Sequence, residues 1–194
     1  MPVTGMTDPA RPRDADDVRE AVAAAVARGT SLEIVGHGSR RAIGRAAQWD
    51  TTLDLSALSG VTLYEPEELV LSARAGTPLA EIDATVAAKN QQLAFEPIDY
   101  GPLLGETRDG APRGTIGGML ASNLAGPRRI VAGAARDHFL GFSAVSGRGE
   151  TLKTGGRVVK NVTGYDLSKL AAGSWGTLAV LTDVTIKVLP RPET

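Results

Sequence analysis

The chain has 194 residues with no cysteine and only two histidines, and its 21 basic and 22 acidic residues leave a net charge of −1. This composition excludes disulfides, cysteine-ligated iron–sulfur clusters and thiol nucleophiles. It also argues against a His-rich metal site and against a nucleic-acid surface, which needs excess positive charge. The sequence contains no apolar run of about 20 residues that could span a membrane, and its first 17 residues lack the apolar core of a secretory signal. We therefore expect a cytoplasmic protein.

The first part of the chain predicts a helix followed by several strands. Residues 1–13 contain three prolines and predict a disordered lead-in. The spacing of Val18, Val22 and Val26 predicts a helix over residues 14–28, which Gly29 ends. Short apolar runs bounded by turn residues predict strands over 31–35, 52–55, 61–64, 69–73 and 93–95.

A second helix and a β-rich region follow. Thr77 and Pro78 predict the start of that helix, with Thr77 as its N-cap, and a buried stripe begins at Leu79. The remaining patterns predict a loop over 98–113, helices over 115–124 and 165–171, a hairpin of strands 139–146 and 150–153, and a strand over 178–189. This order of elements predicts an α+β domain with two lobes, at about 14–98 and 99–192.

Glycine residues cluster at three places that could carry chemistry. In Gly36–Ser39 they either expose backbone amides to a phosphate or simply form a tight turn. In Thr115–Gly118 they either receive a flat ligand or a pyrophosphate, or allow close helix packing. The third cluster is Lys160–Leu167 followed by Gly173–Leu178, where Asp166 could simply cap a helix and Gly173 could simply end one. Residues 172–176 are also close to a G-x-S-x-G nucleophile elbow, but here the helix precedes the serine and the strand follows it, which argues against a nucleophilic Ser174. The glycine spacings fit neither a Rossmann fingerprint nor a P-loop.

Taken in order, four segments resemble the FAD-binding domain of the vanillyl-alcohol oxidase / p-cresol methylhydroxylase family: Ile34–Ser39, Thr115–Gly118, Lys160–Leu167 and Gly173–Val180. Segments 64–66, 126–129, 136–137 and 188–192 narrow the resemblance to the E-type, FAD-binding subunits of bacterial glycolate oxidases. The resemblance implies a two-lobed α+β domain of the p-cresol methylhydroxylase type without the C-terminal cap domain of its relatives. Apolar surface left uncovered in this way predicts self-association.

The resemblance also implies which residues bind FAD. The loop at residues 36–40 would carry the pyrophosphate on its backbone N–H groups, and residues 115–118 would line the path of the ribityl chain and pyrophosphate. Pro97 and Asn123 would lie near the flavin ring. Gly176 would pass close to the cofactor, and the Val180 backbone would bind adenine. Lys160 and Tyr165 are further neighbours of the flavin. The full set is Gly36, His37, Gly38, Ser39, Arg40, Pro97, Thr115, Ile116, Gly117, Gly118, Asn123, Gly176 and Val180.

Two departures from the family pattern refine this expectation. Relatives with histidyl-linked FAD carry that histidine one position later than His37, so we expect non-covalent FAD. Trp175 stands where the related D subunit usually has a glutamate. Nothing in the chain resembles the metal- and substrate-binding residues of hydroxy-acid-oxidising relatives, so we assign no catalytic residue and no metal ligand.

The function that the resemblance implies is an FAD-binding subunit, or fragment, of a glycolate oxidase complex. Such a complex oxidises glycolate to glyoxylate with the flavin as hydride acceptor, and the expected partners are a catalytic D-type and an iron–sulfur F-type subunit. Neither nucleic acid nor a transmembrane segment is expected, and any association with a membrane would run through the partner subunits. Two alternatives stay open: a non-catalytic scaffold subunit of that complex, and a different FAD-dependent oxidase of the same family.

Overall fold

The computed structural model describes residues 9–104, 114–156 and 165–193. Most of the predicted lead-in, part of the 98–113 loop and Lys160 lie outside these ranges. The helices are α1 (Ala15–Arg28), α2 (Leu79–Ala87), α3 (Ile116–Ser122), α4 (Arg129–Ala132), α5 (Ala135–His138) and α6 (Leu167–Ala171). The strands are β1 (Leu32–Val35), β2 (Thr51–Asp54), β3 (Val61–Glu65), β4 (Val70–Arg74), β5 (Gln91–Gln92), β6 (Phe139–Ser146), β7 (Thr151–Gly155), β8 (Ala179–Lys187) and β9 (Leu189–Pro190).

The N-terminal unit consists of α1 and the parallel pair β1–β2. The Asp14 carboxylate accepts the Asp17 N–H at 2.9 Å and so caps α1, and Gly29 ends the helix in the left-handed conformation with φ 65°. Val18 and Val22 are buried in a cluster that includes Leu53 of β2, as predicted, but Val26, the third residue of the predicted stripe, is 56% exposed because it lies beyond that cluster. The core of this unit also takes in residues of β6 and β8; its buried members are Val18, Val22, Leu53, Leu55, Leu58, Val145 and Val180.

A five-stranded antiparallel sheet with the order β3-β4-β8-β6-β7 forms the rest of the domain. The predicted hairpin is confirmed as β6–β7, and the long predicted strand is confirmed as β8. Helices α2 and α3 pack on this sheet through Ile82, Met119 and Leu120, none of which is exposed. Because β3 and β4 pair into the same sheet as β8, the sheet runs across the lobe boundary that we expected near residue 98. The α+β fold class is confirmed.

Two local predictions were wrong, and both for reasons of packing. Residues 93–95 form no strand; Phe95 is fully buried in a turn against His138, with ring centroids 5.2 Å apart, and the short strand β5 ends just before them. Thr77 does not cap α2, because its hydroxyl donates to the Arg74 carbonyl at 2.7 Å, and Pro78 occupies the cap position without a side-chain hydrogen bond.

Within the described ranges, every helix is too short or too polar to cross a membrane.

Candidate functional site

The three glycine clusters meet around α3. A Cβ built on Gly36 would lie 2.7 Å from the Thr115 Cγ2, so the turn after β1 touches the start of α3. On the other side, a Cβ on Gly176 would lie 3.5 Å from the Cβ of Ile34, which places the approach to β8 against β1. Segments that are far apart in the sequence therefore line one continuous region.

The turn at 36–40 presents backbone amides that no acceptor in the described part of the chain uses. Among the described residues, none of these five amides donates a hydrogen bond, whereas the Arg41 amide closes the turn on the Gly38 carbonyl at 3.0 Å. Gly38 has φ +69°, a conformation that a side chain would disfavour. Successive unpaired amides around a left-handed residue form a concave surface that binds anions.

Arg40 adds a positive charge to this concave surface. Its guanidinium lies 5.9 Å above the Tyr100 ring, and its Nη1 donates to the Ser39 Oγ at 3.4 Å. Its Nε is buried and has no partner. Burial lowers the pKa of Arg40, although an arginine stays protonated at neutral pH. The Asp99 carboxylate opposes this lowering only in part, so an anionic ligand would further stabilise the charged guanidinium.

His37 is half-buried in the same turn, and its Nδ1 has no hydrogen-bond partner in the described part of the chain. Burial lowers the pKa of His37, against the opposing effects of Asp54 and of a hydrogen bond with the Gly114 backbone. The imidazole is therefore neutral at pH 7. The other histidine, His138, is only 1% exposed, and its Nε2 is bonded to the Ala132 carbonyl, so it is not available as a base for Ser174.

The amides at the start of α3 are already hydrogen-bonded, so this segment can border a ligand site but does not offer free donors to it. The Ile116 amide donates to the Thr77 carbonyl at 2.9 Å, and the Gly118 amide donates to the Thr115 Oγ1 at 3.2 Å. The Gly117 amide is likewise bonded, to Ala75, against which that glycine packs. Gly118 is the open member of the pair: it is half-buried, and a Cβ there would lie 3.9 Å from the Arg40 Nη1.

Three residues with left-handed backbone surround the C-terminal end of α3. Asn123 has φ 52°, and its Oδ1 accepts the Arg136 amide at 2.9 Å. Trp175 has φ 54°, and its amide donates to the Ala121 carbonyl at 2.9 Å. Glu96, with φ 49°, precedes Pro97 and accepts the Gly126 amide at 2.9 Å. For Asn123 this conformation is that of an ordinary helix C-cap, whereas it is uncommon for Trp175 and Glu96.

A separate cavity of about 230 Å³ lies along β1, between Leu32 and Ile34 on one side and Gly176 on the other. It is bounded by the last turns of α1 and by residues 176–180. Val180 is buried and pairs with Val145 of β6, but β4 pairs with β8 only from Asp183 onwards. Within the described residues, the β4 side of β8 therefore lacks a strand partner at 179–181, where a planar ligand could form hydrogen bonds with the backbone.

The predicted site residues thus fall into two groups. Residues of the turn, of the start of α3 and of the 176–180 segment lie together, and Asn123 and Pro97 lie at the far end of α3. Tyr165 is 92% exposed beside α6. No three His, Asp or Glu side chains of the described ranges lie close enough to hold a metal ion.

The sequence reasoning missed a bidentate ion pair that fixes the turn. Arg41 donates from Nε to the Glu33 Oε1 at 2.8 Å and from Nη2 to the Glu33 Oε2 at 2.6 Å. Thr52 donates to the same carboxylate at 3.0 Å, which ties the pair to β2. Arg41 also covers Gly38, since a Cβ there would lie 3.1 Å from the Arg41 Cδ. No local pattern joins residues 33 and 41, so only the fold reveals this clamp.

We expect Glu33→Gln and Arg41→Gln each to destabilise the fold, with a coupling free energy of about 1 kcal/mol in a double-mutant cycle. The reason is that the Glu33 side chain is only 15% exposed and receives both arms of the guanidinium. Urea unfolding of the single and double variants measures this coupling. The exposed pair Arg19–Asp16 serves as control and should couple negligibly. Equal coupling in both cycles would contradict the clamp.

Comparison with known proteins agrees with this geometry. Residues 9–155 match the family model described as FAD binding domain. The chain is 44% identical over 174 residues to the glycolate oxidase subunit GlcE of Escherichia coli (strain K12). The aligned region covers 90% of this chain and 47% of that protein. It is 36% identical over 142 residues to a D-lactate dehydrogenase of Archaeoglobus fulgidus, which covers 70% of this chain and 32% of that protein.

The fold is also that of a solved structure. Alkyldihydroxyacetonephosphate synthase superposes with a TM-score of 0.72 at 21% identity, over 95% of this chain and 32% of that chain. The chain thus spans about half of the length of GlcE and about a third of the other two proteins. From the match over residues 9–155 and the identity to GlcE, we conclude that the chain belongs to the FAD-binding domain family of the p-cresol methylhydroxylase type, whose cofactor is FAD.

Proposed function

We propose that this chain holds FAD non-covalently, with the diphosphate on the turn at 36–40, and that it is the FAD-carrying part of a glycolate oxidase E-type subunit. The observation that carries the proposal is the group of five amides, at residues 36–40, that donate to no described residue, beside the Arg40 guanidinium, whose buried Nε has no described partner either. A diphosphate is the part of FAD that such a surface fits, because it brings negative charge to a buried cation and acceptors to free donors.

The remaining residues fit an extended dinucleotide. The cavity beside Gly176 and Val180 accepts the adenosine end, with the free edge of β8 available to the base. From the turn, the proposed path runs along α3 past Gly118 and Ala121, which are only partly buried, and the seven residues of this helix rise about 10 Å. This path leads to Asn123 and Pro97, where the flavin ring would lie. The Asn123 Nδ2 remains available to the ring, because its Oδ1 is bonded to the Arg136 amide.

The bound cofactor supplies a ring that accepts a hydride, here from the carbon that bears the hydroxyl of a 2-hydroxy acid. The residues of this chain bind and orient that ring and shield one side of it from water. We assign them no acid–base step, since none of the described residues is placed as a base at the Asn123 end. The substrate class follows from the relatives, which are named for glycolate and D-lactate.

The assembly belongs to the proposal as well. The relative GlcE is named as a subunit of glycolate oxidase, and we extend this to a catalytic D-type and an iron–sulfur F-type partner for this chain, in the cytoplasm or at a membrane through those partners. Ile130 is 92% exposed and Val131 is 89% exposed, which favours docking or self-association through α4. The same exposure supports the second candidate, a scaffold subunit that turns over nothing itself.

A flavin titration tests the proposal. We expect the purified chain to bind FAD in a one-to-one ratio and to release all of it on acid precipitation, because no covalent bond holds it. Gly38→Glu should abolish binding, since it places a carboxylate among the turn amides. A chain that stays colourless after incubation with FAD would overturn the proposal. If Gly38→Glu in this chain leaves glycolate turnover by the reconstituted complex unchanged, the scaffold role is favoured. If the complex oxidises another 2-hydroxy acid but not glycolate, the protein is a different oxidase of the family.

A further inference from the structure

Residues 9–13, which we call the strap, lie against β2. Ala10 forms a parallel bridge with Leu53: its amide donates to the Thr52 carbonyl at 2.9 Å, and its carbonyl accepts the Asp54 amide at 2.8 Å. Since β1 pairs with β2 along the same residues, Ala10 occupies the edge of β2 that β1 leaves free. Backbone hydrogen bonds therefore fix the position of the strap beside Asp54.

The strap brings an arginine to a carboxylate of β2. The Arg11 Nε lies 3.2 Å from the Asp54 Oδ2, and the side chains are 68% and 14% exposed, respectively. The Asp54 Oδ1 accepts the Ser56 amide at 3.0 Å. Among the described residues, Arg11 is the only arginine or lysine that pairs with this carboxylate. The negative charge of a largely buried side chain thus depends on one residue of the strap for its counter-ion.

Asp54 stands beside the anion-binding turn. In the register of β1 with β2 it is the partner of Val35, the residue directly before Gly36. Burial lowers the pKa of His37 in the turn, and the Asp54 carboxylate acts in the opposite direction, so its charge is felt there. A carboxylate that attracts a proton to this turn also repels an anion bound at the turn.

We propose that Arg11 neutralises Asp54 and thereby allows the turn at 36–40 to hold the diphosphate of FAD. This inference rests on the proposed function, because it requires the diphosphate to lie at the turn. Arg11 is a positioning residue that acts through Asp54 and does not itself contact the diphosphate. An ion pair with so exposed an arginine contributes little to the stability of the fold, so the effect should be found in FAD affinity and not in unfolding.

Titration of FAD at two salt concentrations tests the inference. At about 10 mM salt, we expect Arg11→Gln to weaken binding about two- to fivefold, and near 1 M salt, where charges are screened beyond about 3 Å, the difference should disappear. Arg11→Lys keeps the charge and should bind FAD like the unmodified chain. In an Asp54→Asn background, Arg11→Gln should have no effect, and the asparagine can still accept the Ser56 amide.

The His37 imidazole reports the same change in the absence of FAD. Arg11→Gln should raise the pKa of His37 in an NMR titration, because Asp54 then acts on the ring without its counter-ion. Adding Asp54→Asn should lower that pKa below its value in the unmodified chain. The matched control is Arg13→Gln, since Arg13 belongs to the same strap but pairs with Asp17 at 2.8 Å. It should leave the affinity and the pKa of His37 unchanged.

Three results would overturn the inference and leave the proposed function intact. The first is an equal dissociation constant at low salt for Arg11→Gln and the unmodified chain. The second is an undiminished loss of affinity in the Asp54→Asn background, because Arg11 would then attract the diphosphate itself. The third is an unchanged pKa of His37 in Arg11→Gln. Failure of the unmodified chain to bind FAD would overturn both the inference and the proposed function.

Discussion

Replacing Arg40 with glutamine is expected to weaken FAD binding roughly tenfold to a hundredfold while leaving the fold intact. A hydrogen bond to a charged group contributes about 1.5–3 kcal/mol, and the Nε of this guanidinium has no partner in the described part of the chain, although the Asp99 carboxylate is near enough to favour its charged form. Without ligand, the substitution removes a cation that burial disfavours, so the unfolding free energy should stay the same or rise.

Titration of FAD at two salt concentrations measures this effect. Arg40→Lys should recover part of the affinity, because a lysine keeps the charge but lacks the planar fork. The matched control is Arg45→Gln, an exposed arginine on the same segment, which should leave the dissociation constant unchanged. Equal dissociation constants for Arg40→Gln and the unmodified chain would show that the diphosphate does not lie at this turn.

The second large effect is on stability: Gly117→Ala is expected to destabilise the fold by about 1–3 kcal/mol. A Cβ there would lie 2.7 Å from the Ala75 Cβ and 2.8 Å from the Ala75 carbonyl oxygen. Since that carbonyl also accepts the Gly117 amide at 2.8 Å, relief of the clash would stretch the bond that docks α3. This cost exceeds the gain in helix propensity, which is about 1 kcal/mol.

Urea unfolding of Gly117→Ala beside Gly118→Ala checks this expectation. The two substitutions make the same chemical change one residue apart, but a Cβ on Gly118 would meet only side-chain ends, the Thr115 Oγ1 at 3.2 Å and the Arg40 Nη1 at 3.9 Å. Gly118→Ala should therefore lose much less stability. Equal unfolding midpoints for the two variants would mean that close packing is not the reason for a glycine at 117.

Local patterns were enough to predict the elements that depend on nearby residues. The stripe of Val18 and Val22 identified α1, and the alternation along 178–189 identified β8. The glycine-rich motifs, which are long and occur in a specific order, predicted the turn after β1 and the start of α3. Sequence reasoning left two uses open for Thr115–Gly118, and the structure shows that Gly117 is required for packing.

What the sequence could not predict depends on contacts between distant residues. The apolar run at 93–95 looked like a strand, but Phe95 is buried through its contact with His138, more than forty positions later. The clamp of Arg41 on Glu33 and the buried, partnerless Nε of Arg40 are likewise products of the folded arrangement. The two arginines are adjacent in the sequence, and only the fold gives Arg41 a bidentate carboxylate and leaves the Nε of Arg40 without a described partner.

The central position of β8 in the sheet has a consequence for how the chain folds during synthesis. β4 lies between β3 and β8, and Ser72 is hydrogen-bonded to Thr185 at 2.8 Å across 113 residues of sequence. The β3–β4 hairpin is therefore made early but keeps one edge unpaired until the ribosome has released the region around residue 187. Non-local pairing of this kind slows folding, and an open strand edge can recruit other chains in the meantime. The nascent protein is thus most exposed to aggregation, and most dependent on chaperones, in the interval before β8 emerges.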